Sequence, residues 1–318
     1  MQTVATNLKA GLREGLLKGW QSFVWVLKLI VPISLATALL QYSGVLAYLD
    51  RFLAPVTHLL GLPAAAAVPM VIGPLAGVYA AVGAMAVLPL TQAQMTLVAI
   101  FVLIAHLIIQ EGIIQARAGF RLGLSALVRL GAGFLTVLVA GWFLADDGRV
   151  ASVMPAAVAL RPTLEGMLLE WGTAMAWLAF KILLIVMTIM ISLAWMRRFD
   201  LIRHLVGALR PVLVLLGLRP QVAVLWLSAV LFGLLYGAAV IVEEVREGSF
   251  DPRDLERLHV SIGINHSMIE DPVLFLPLGI GAFWLWIPRL VAAMVAVRLY
   301  DLAVYLRRQA FRPARHRL

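Results

Sequence analysis

The chain has 318 residues, 62% of them hydrophobic and 14% charged, with a net charge of +9 and a mean hydropathy of +0.95. Soluble domains hold about 45–50% apolar and about 25% charged residues, so a water-soluble globule is excluded and a polytopic, all-α membrane protein is expected. Cysteine is absent, which excludes disulfides, thiol catalysis and thiolate metal sites.

Residues 1–17 carry Lys9, Arg13 and Glu14 and read as a cytoplasmic amphipathic arm. No small-residue cleavage site follows a short apolar core, so the arm is not a signal peptide. A long apolar span follows at 20–42, then a shorter helix with charges at 45–60, ending in PVTHLLGL. Next comes the Gly/Pro-punctuated run VPMVIGPLAGVYAAVG, a helix ending in IAHLIIQEG, and a last span at 121–145. Residues 146–164 form a linker with two Asp and two Arg, and Glu165 and Glu170 follow it, so the wider stretch 146–170 is more acidic than basic. The same series then recurs: a span at 171–196, a charged helix at 200–217 ending in PVLVLLGL, a span at 221–242, a helix ending in INHSMIEDP, and a span at 280–306. A basic tail, 309–318, closes the chain.

The recurrence is collinear. PVTHLLGL (55–62) and PVLVLLGL (211–218) share six of eight residues at an offset of 156. Tyr79 falls near Tyr236 at an offset of 157. After the inserted loop EEVREGSFDPRD the offset is 160, pairing Thr91 with Asp251, His106 with His266, Glu111 with Asp271 and Arg129 with Arg289. Thr91 and Asp251 read as N-caps. Two tandem repeats, 18–145 and 165–308, are therefore expected, in about 8–10 membrane segments.

The positive charges lie next to spans, in the arm, in MRRFDLIRH and in the tail, as the positive-inside rule places them, and not in a nucleic-acid-binding patch. Both termini are then cytoplasmic and the 146–164 linker external. Each repeat makes an odd number of crossings, so the repeats are inverted, an architecture in which transporters place a midplane site at the repeat interface.

Ionisable groups inside spans are expensive and mark ion or substrate paths. His106 and Glu111 precede Gly112, and His266, Glu270 and Asp271 precede Pro272, so both helices are expected to break at those punctuating residues. In an unbroken helix His266 and Glu270 would share a face. Imidazole with carboxylate suits Fe, Mn or Zn, so His106, Glu111, His266, Glu270 and Asp271 are candidate ligands of a divalent metal. Arg129 and Arg289 could instead neutralise the carboxylates, and Lys28 and Lys181 inside their spans need only snorkel or pair. No organic cofactor is indicated. The phosphate-binding Gly-Lys-Ser loop, the Gly-x-Ser-x-Gly elbow and His-Glu-x-x-His are all absent, so no enzyme is expected.

The PVTHLLGL and PVLVLLGL helix ends, the span GPLAGVYAAVG and the helix ends HLIIQEG and NHSMIEDP resemble the Gate, or nucleoside-recognition, membrane domain. That domain occurs in spore-maturation-type proteins and in the permease part of bacterial ferrous-iron transporters. The resemblance implies two Gate-like units in a bacterial inner membrane protein. No G-protein domain and no intramembrane cysteine accompany them, unlike the iron permeases. The expected function is a secondary permease, for a divalent cation or, alternatively, a nucleoside-like solute. In the latter case Gln110, Asn265 and Glu270 would hydrogen-bond the solute and Tyr79 or Tyr236 would stack on it. A third reading is a scaffold whose buried polar cluster only pins the halves together. The expected partners are the lipid bilayer and a small solute or ion, with no nucleic acid, and homo-oligomerisation is left open.

Overall fold

A computed structural model describes residues 2–45, 55, 57–144, 163–199, 210–231, 233–234 and 250–310. Tyr236, the helices read at 45–60 and 200–217 for most of their length, and most of the external linker lie outside these residues. Among the described residues all regular structure is helical.

Helix α1 (Gln2–Tyr42) runs without interruption from the basic arm through the first span. Short helices α2 (Ala67–Ala76) and α3 (Val78–Met85) follow, separated at Gly77, whose φ of 95° suits a residue without Cβ. Helix α4 (Gln92–Ala105) starts at a capping box: Thr91 Oγ1 accepts from Gln94 N at 3.3 Å and Gln94 Oε1 from Thr91 N at 2.9 Å. Helices α5 (Ile108–Arg117) and α6 (Leu122–Leu144) complete the first half. The second half holds α7 (Leu164–Arg198), α8 (Arg210–Leu215), the short apolar helix α9 (Pro220–Leu231), α10 (Pro252–Asn265), α11 (Glu270–Val273) and α12 (Ala282–Ala310). Asp251 caps α10 by accepting from Arg253 N at 2.9 Å.

Among the described residues, five helical stretches are long and apolar enough to cross a bilayer: Thr6–Tyr42, Gln92–Arg117 across its break, Leu122–Leu144, Leu164–Arg198 and Ala282–Gln309. Two shorter apolar helices, Ala64–Ala76 and Pro220–Leu231, accompany them.

Small residues set the closest packing. Gly11, Gly15 and Gly19 form one stripe on α1 and meet Trp195, Ile191 and Met187 of the antiparallel α7, so the two longest helices pair along their length. Helix α12 fixes the sense of the inner helices. Gly279, just before α12, lies against Gln92 at the start of α4, whereas Arg257, near the start of α10, binds Asp301 far along α12 at 2.8 Å. Helices α4 and α10 thus begin at opposite ends of α12 and end at its first third.

The helix breaks lie earlier than the sequence punctuation suggests. Helix α5 continues through Gly112, and Pro272 sits inside α11. The chain leaves helical geometry instead at His106–Leu107 and His266–Ser267, where Leu107 (φ 46°) and Ser267 (φ 48°) are left-handed. His266 and Glu270 therefore sit on different helices and do not share a face.

Candidate functional site

Two helix C-termini meet in the protein interior. His106 ends α4 and His266 ends α10, both in extended geometry. Each break is held by backbone: Leu107 N donates to Gly73 O at 3.1 Å, and Ser267 N donates to Ala229 O at 2.9 Å. Gly77 leaves the room for this, since a Cβ there would stand 3.2 Å from the Leu107 side chain.

A broken helix leaves carbonyls without partners, which hydrocarbon does not tolerate. Two fully buried arginines supply the donors. Arg129 Nε donates to Ile104 O at 3.0 Å, and its Nη2 donates to His106 O. Arg289 Nε donates to Ile264 O at 3.3 Å, and its Nη2 donates to His266 O at 2.8 Å. Arg129 Nη1 also forms an ion pair with Glu111 Oε2 at 2.7 Å, whereas Arg289 Nη1 has neither an ion-pair nor a hydrogen-bond partner among the described residues.

The histidine rings are oriented by the same carbonyl logic. His106 Nδ1 lies 3.1 Å from Val102 O, and His266 Nδ1 lies 2.7 Å from Ile262 O. A carbonyl only accepts, so each Nδ1 carries a hydrogen, and in the neutral ring each Nε2 presents a lone pair. The two Nε2 atoms face each other at 3.0 Å. Glu111 Oε1 stands 3.1 Å from His266 Nε2 and 3.4 Å from His106 Nε2, and Asp271 Oδ2 stands 3.2 Å from His106 Nε2. With both rings neutral, four acceptor atoms thus converge. His106, His266 and Asp271, all buried, can each offer one ligand atom, these atoms lying within 4.8 Å of one another. Bound hydrogen or a cation is what makes such a cluster attractive.

The other candidates stand around this centre. Glu270 accepts from Tyr79 OH at 2.5 Å, and Tyr79 lies edge-on to Trp25. Asn265 is fully buried one position before His266, and its Oδ1 accepts from Ser261 at 3.4 Å. Gln110 is exposed on α5. Of the intraspan lysines, Lys28 is exposed and Lys181 donates to Pro277 O at 3.0 Å. The surface clefts beside Lys181 and beside Gln92 and Trp284 share no residue with the cluster.

Sequence reasoning treated the arginines only as counter-charges and missed their hold on the broken helix ends. It also missed Gln115, Ser125 and His259, which are buried in one network: Gln115 Nε2 donates to His259 O at 3.0 Å, and Ser125 Oγ donates to Gln115 Oε1. Gln115 lies one turn after Glu111, and His259 two turns before His266, which is the periodic signal that could have found them.

Residues 23–120 match the family model for Gate, described as nucleoside recognition. That stretch is similar to the Gate domain. The matched stretch runs from Phe23 in α1 through α5 and so includes His106 and Glu111 of the cluster. The chain is also 28% identical over 284 residues to the uncharacterized membrane protein YvoD of Bacillus subtilis (strain 168), covering 88% of this chain and 91% of that one. No solved structure matches it.

Proposed function

We propose that the chain is a secondary permease for a divalent first-row metal cation, bound between His106, Glu111, His266 and Asp271. The observation that carries this reading is the convergence of four acceptor atoms, four of whose six separations are 3.0, 3.1, 3.2 and 3.4 Å, with those of His106, His266 and Asp271 all within 4.8 Å of one another. First-row bonds of about 2.0–2.1 Å to nitrogen and oxygen set edges of about 3.3 Å in a tetrahedron. The donor set suits Zn, Mn or Fe. Arg129 and Arg289 already balance the two carboxylates, so the ion enters a site near neutrality and keeps a net charge there. That favours release over permanent retention, which conduction requires.

Matched local geometry supports two inverted repeats around this site. Arg129 and Arg289 make the same pair of carbonyl contacts, 160 residues apart. Positive-φ glycines recur at Gly61 and Gly217, Gly77 and Gly233, and Gly119 and Gly279. The opposite starts of α4 and α10 along α12 support the inversion. With the charge pattern, the reading places both termini in the cytoplasm of a bacterial inner membrane protein.

The family description, nucleoside recognition, favours a second reading, in which Glu270, Tyr79 and Asn265 would hold a nucleoside-like solute beside the cluster. The test is elemental analysis of purified protein after loading with Mn, Fe(II) or Zn and desalting, paired with metal uptake into proteoliposomes. Wild type is expected to take up metal, and His106→Ala/His266→Ala to lose both binding and uptake while keeping its melting temperature. Binding should weaken as pH falls, because protons compete for the Nε2 lone pairs. Absence of both binding and uptake in wild type, with uptake of a labelled nucleoside, would replace the cation with the second cargo.

A further inference from the structure

The two halves of the molecule that flank the cluster differ in what lines them. On one side run α5, α6 and the end of α10. Beside the cluster residues Glu111, Arg129 and His266, the next turn brings Gln115, Ser125 and Gly263 together. A Cβ on Gly263 would meet Gln115 Nε2 at 3.5 Å and Arg129 Cγ at 3.6 Å, so these three helices form one seam. A turn further, His259 Nε2 lies 3.3 Å from Ala118 O. Its ring stacks on Phe120, 5.3 Å between centroids, and Phe120 closes that end beside the exposed Arg121. His259 is 2% exposed, and its Nδ1 has no partner among the described residues.

On the other side, the residues at an offset of 160 are Leu103 for Gly263, Phe275 for Gln115, Leu285 for Ser125 and Ala99 for His259. All four are fully buried. The same fold therefore packs well with an apolar lining, and helix stability alone does not call for histidine, glutamine and serine in the first seam. Buried polar groups inside a membrane are expensive and mark a pathway by default.

We infer that His259, Gln115 and Ser125 line a one-sided hydrophilic path between the central cluster and the face bearing Arg117, Arg121 and Arg257, while Ala99, Leu103, Phe275 and Leu285 seal the opposite side. Small hydrated cations are the class it takes, as each lining group offers an oxygen or nitrogen lone pair. This path rests on the transport reading for its cargo, but its existence is testable without any cargo.

The chain is free of cysteine, so single cysteines report alone. The full-length protein in sealed vesicles of each orientation is exposed to a charged, membrane-impermeant methanethiosulfonate. Ser125→Cys, a near-isosteric change, and His259→Cys are compared with Ala99→Cys and Leu285→Cys. Ser125→Cys and His259→Cys should react from the Arg121 face roughly tenfold faster than the other two react from either face, as expected where water enters only one lining. Phe120→Ala should speed both further. Equal reaction in the two linings, or reaction of Ala99→Cys and Leu285→Cys alone, overturns the inference. So does protection of Ser125→Cys and His259→Cys that persists in the Phe120→Ala background. Because labelling needs no metal, labelling as expected in a protein that binds and moves no cation would reject the cargo and keep the path.

Discussion

Arg129 and Arg289 occupy matched places, yet their surroundings differ by one methylene. Glu111 is long enough to reach Arg129 while its other oxygen stays among the histidines. Asp271 reaches His106 instead, and Arg289 Nη1 is left without a hydrogen-bond partner. Removing one member of a buried ion pair costs about 3–5 kcal/mol, because the other is left charged and unpaired. Arg129→Met should therefore cost that much, whereas Arg289→Met, which strands carbonyls but breaks no close ion pair, should cost less. Thermal unfolding in detergent checks the order, and an equal loss in both variants would mean that the carbonyl contacts dominate. The cluster itself was legible in the sequence, because His106, Glu111, His266 and Asp271 stand out against apolar spans and recur at one offset. The place of Glu270 was not, since it depends on a break that neither glycine nor proline announces. Leu107 and Ser267 take left-handed geometry only because Gly73 O and Ala229 O are there to receive their amides.

Among the elements, the pairing of α1 with α7 rests on three glycines at four-residue spacing. A Cβ at Gly15 would stand 2.5 Å from Ile191 Cα, and backbone cannot yield as a side-chain tip can. At Gly123, on α6, a Cβ would meet nothing within 4 Å. Gly15→Val should thus destabilise by roughly 1–3 kcal/mol through overpacking, and Gly123→Val by much less. Melting temperatures in detergent decide it, and a neutral Gly15→Val would show that α1 and α7 separate without loss. The long spans were legible from hydropathy and length, and the starts of α4 and α10 from Thr91 and Asp251. The extent of α1 was not. Its 41 residues make about 61 Å of helix, twice the thickness of a hydrocarbon core, and the basic arm is its continuation. Charge in the arm suggested a separate segment, but nothing in its sequence breaks a helix, and the glycine stripe gives it α7 to lie on.

At the scale of the whole molecule, the directions of α4 and α10 and the charge pattern bear on the same question by independent routes. Helices that start towards opposite ends of α12 and meet at their C-termini run in opposite directions along it. In the proposed inverted topology, Lys and Arg placement puts both termini in the cytoplasm and the 146–164 linker outside. A fluorescent protein fused after Leu318 should therefore fold and fluoresce, and alkaline phosphatase inserted within 146–162 should be active, since the first matures in the cytoplasm and the second outside it. Active phosphatase both in the linker and at the C-terminus would make the crossing number of the second half even and so break the inversion. Active phosphatase at both termini and not in the linker would keep the inversion but turn the molecule over. The seam through Gln115 and His259 would then open outward, and the apolar seal at Phe275 and Leu285 would face the cytoplasm.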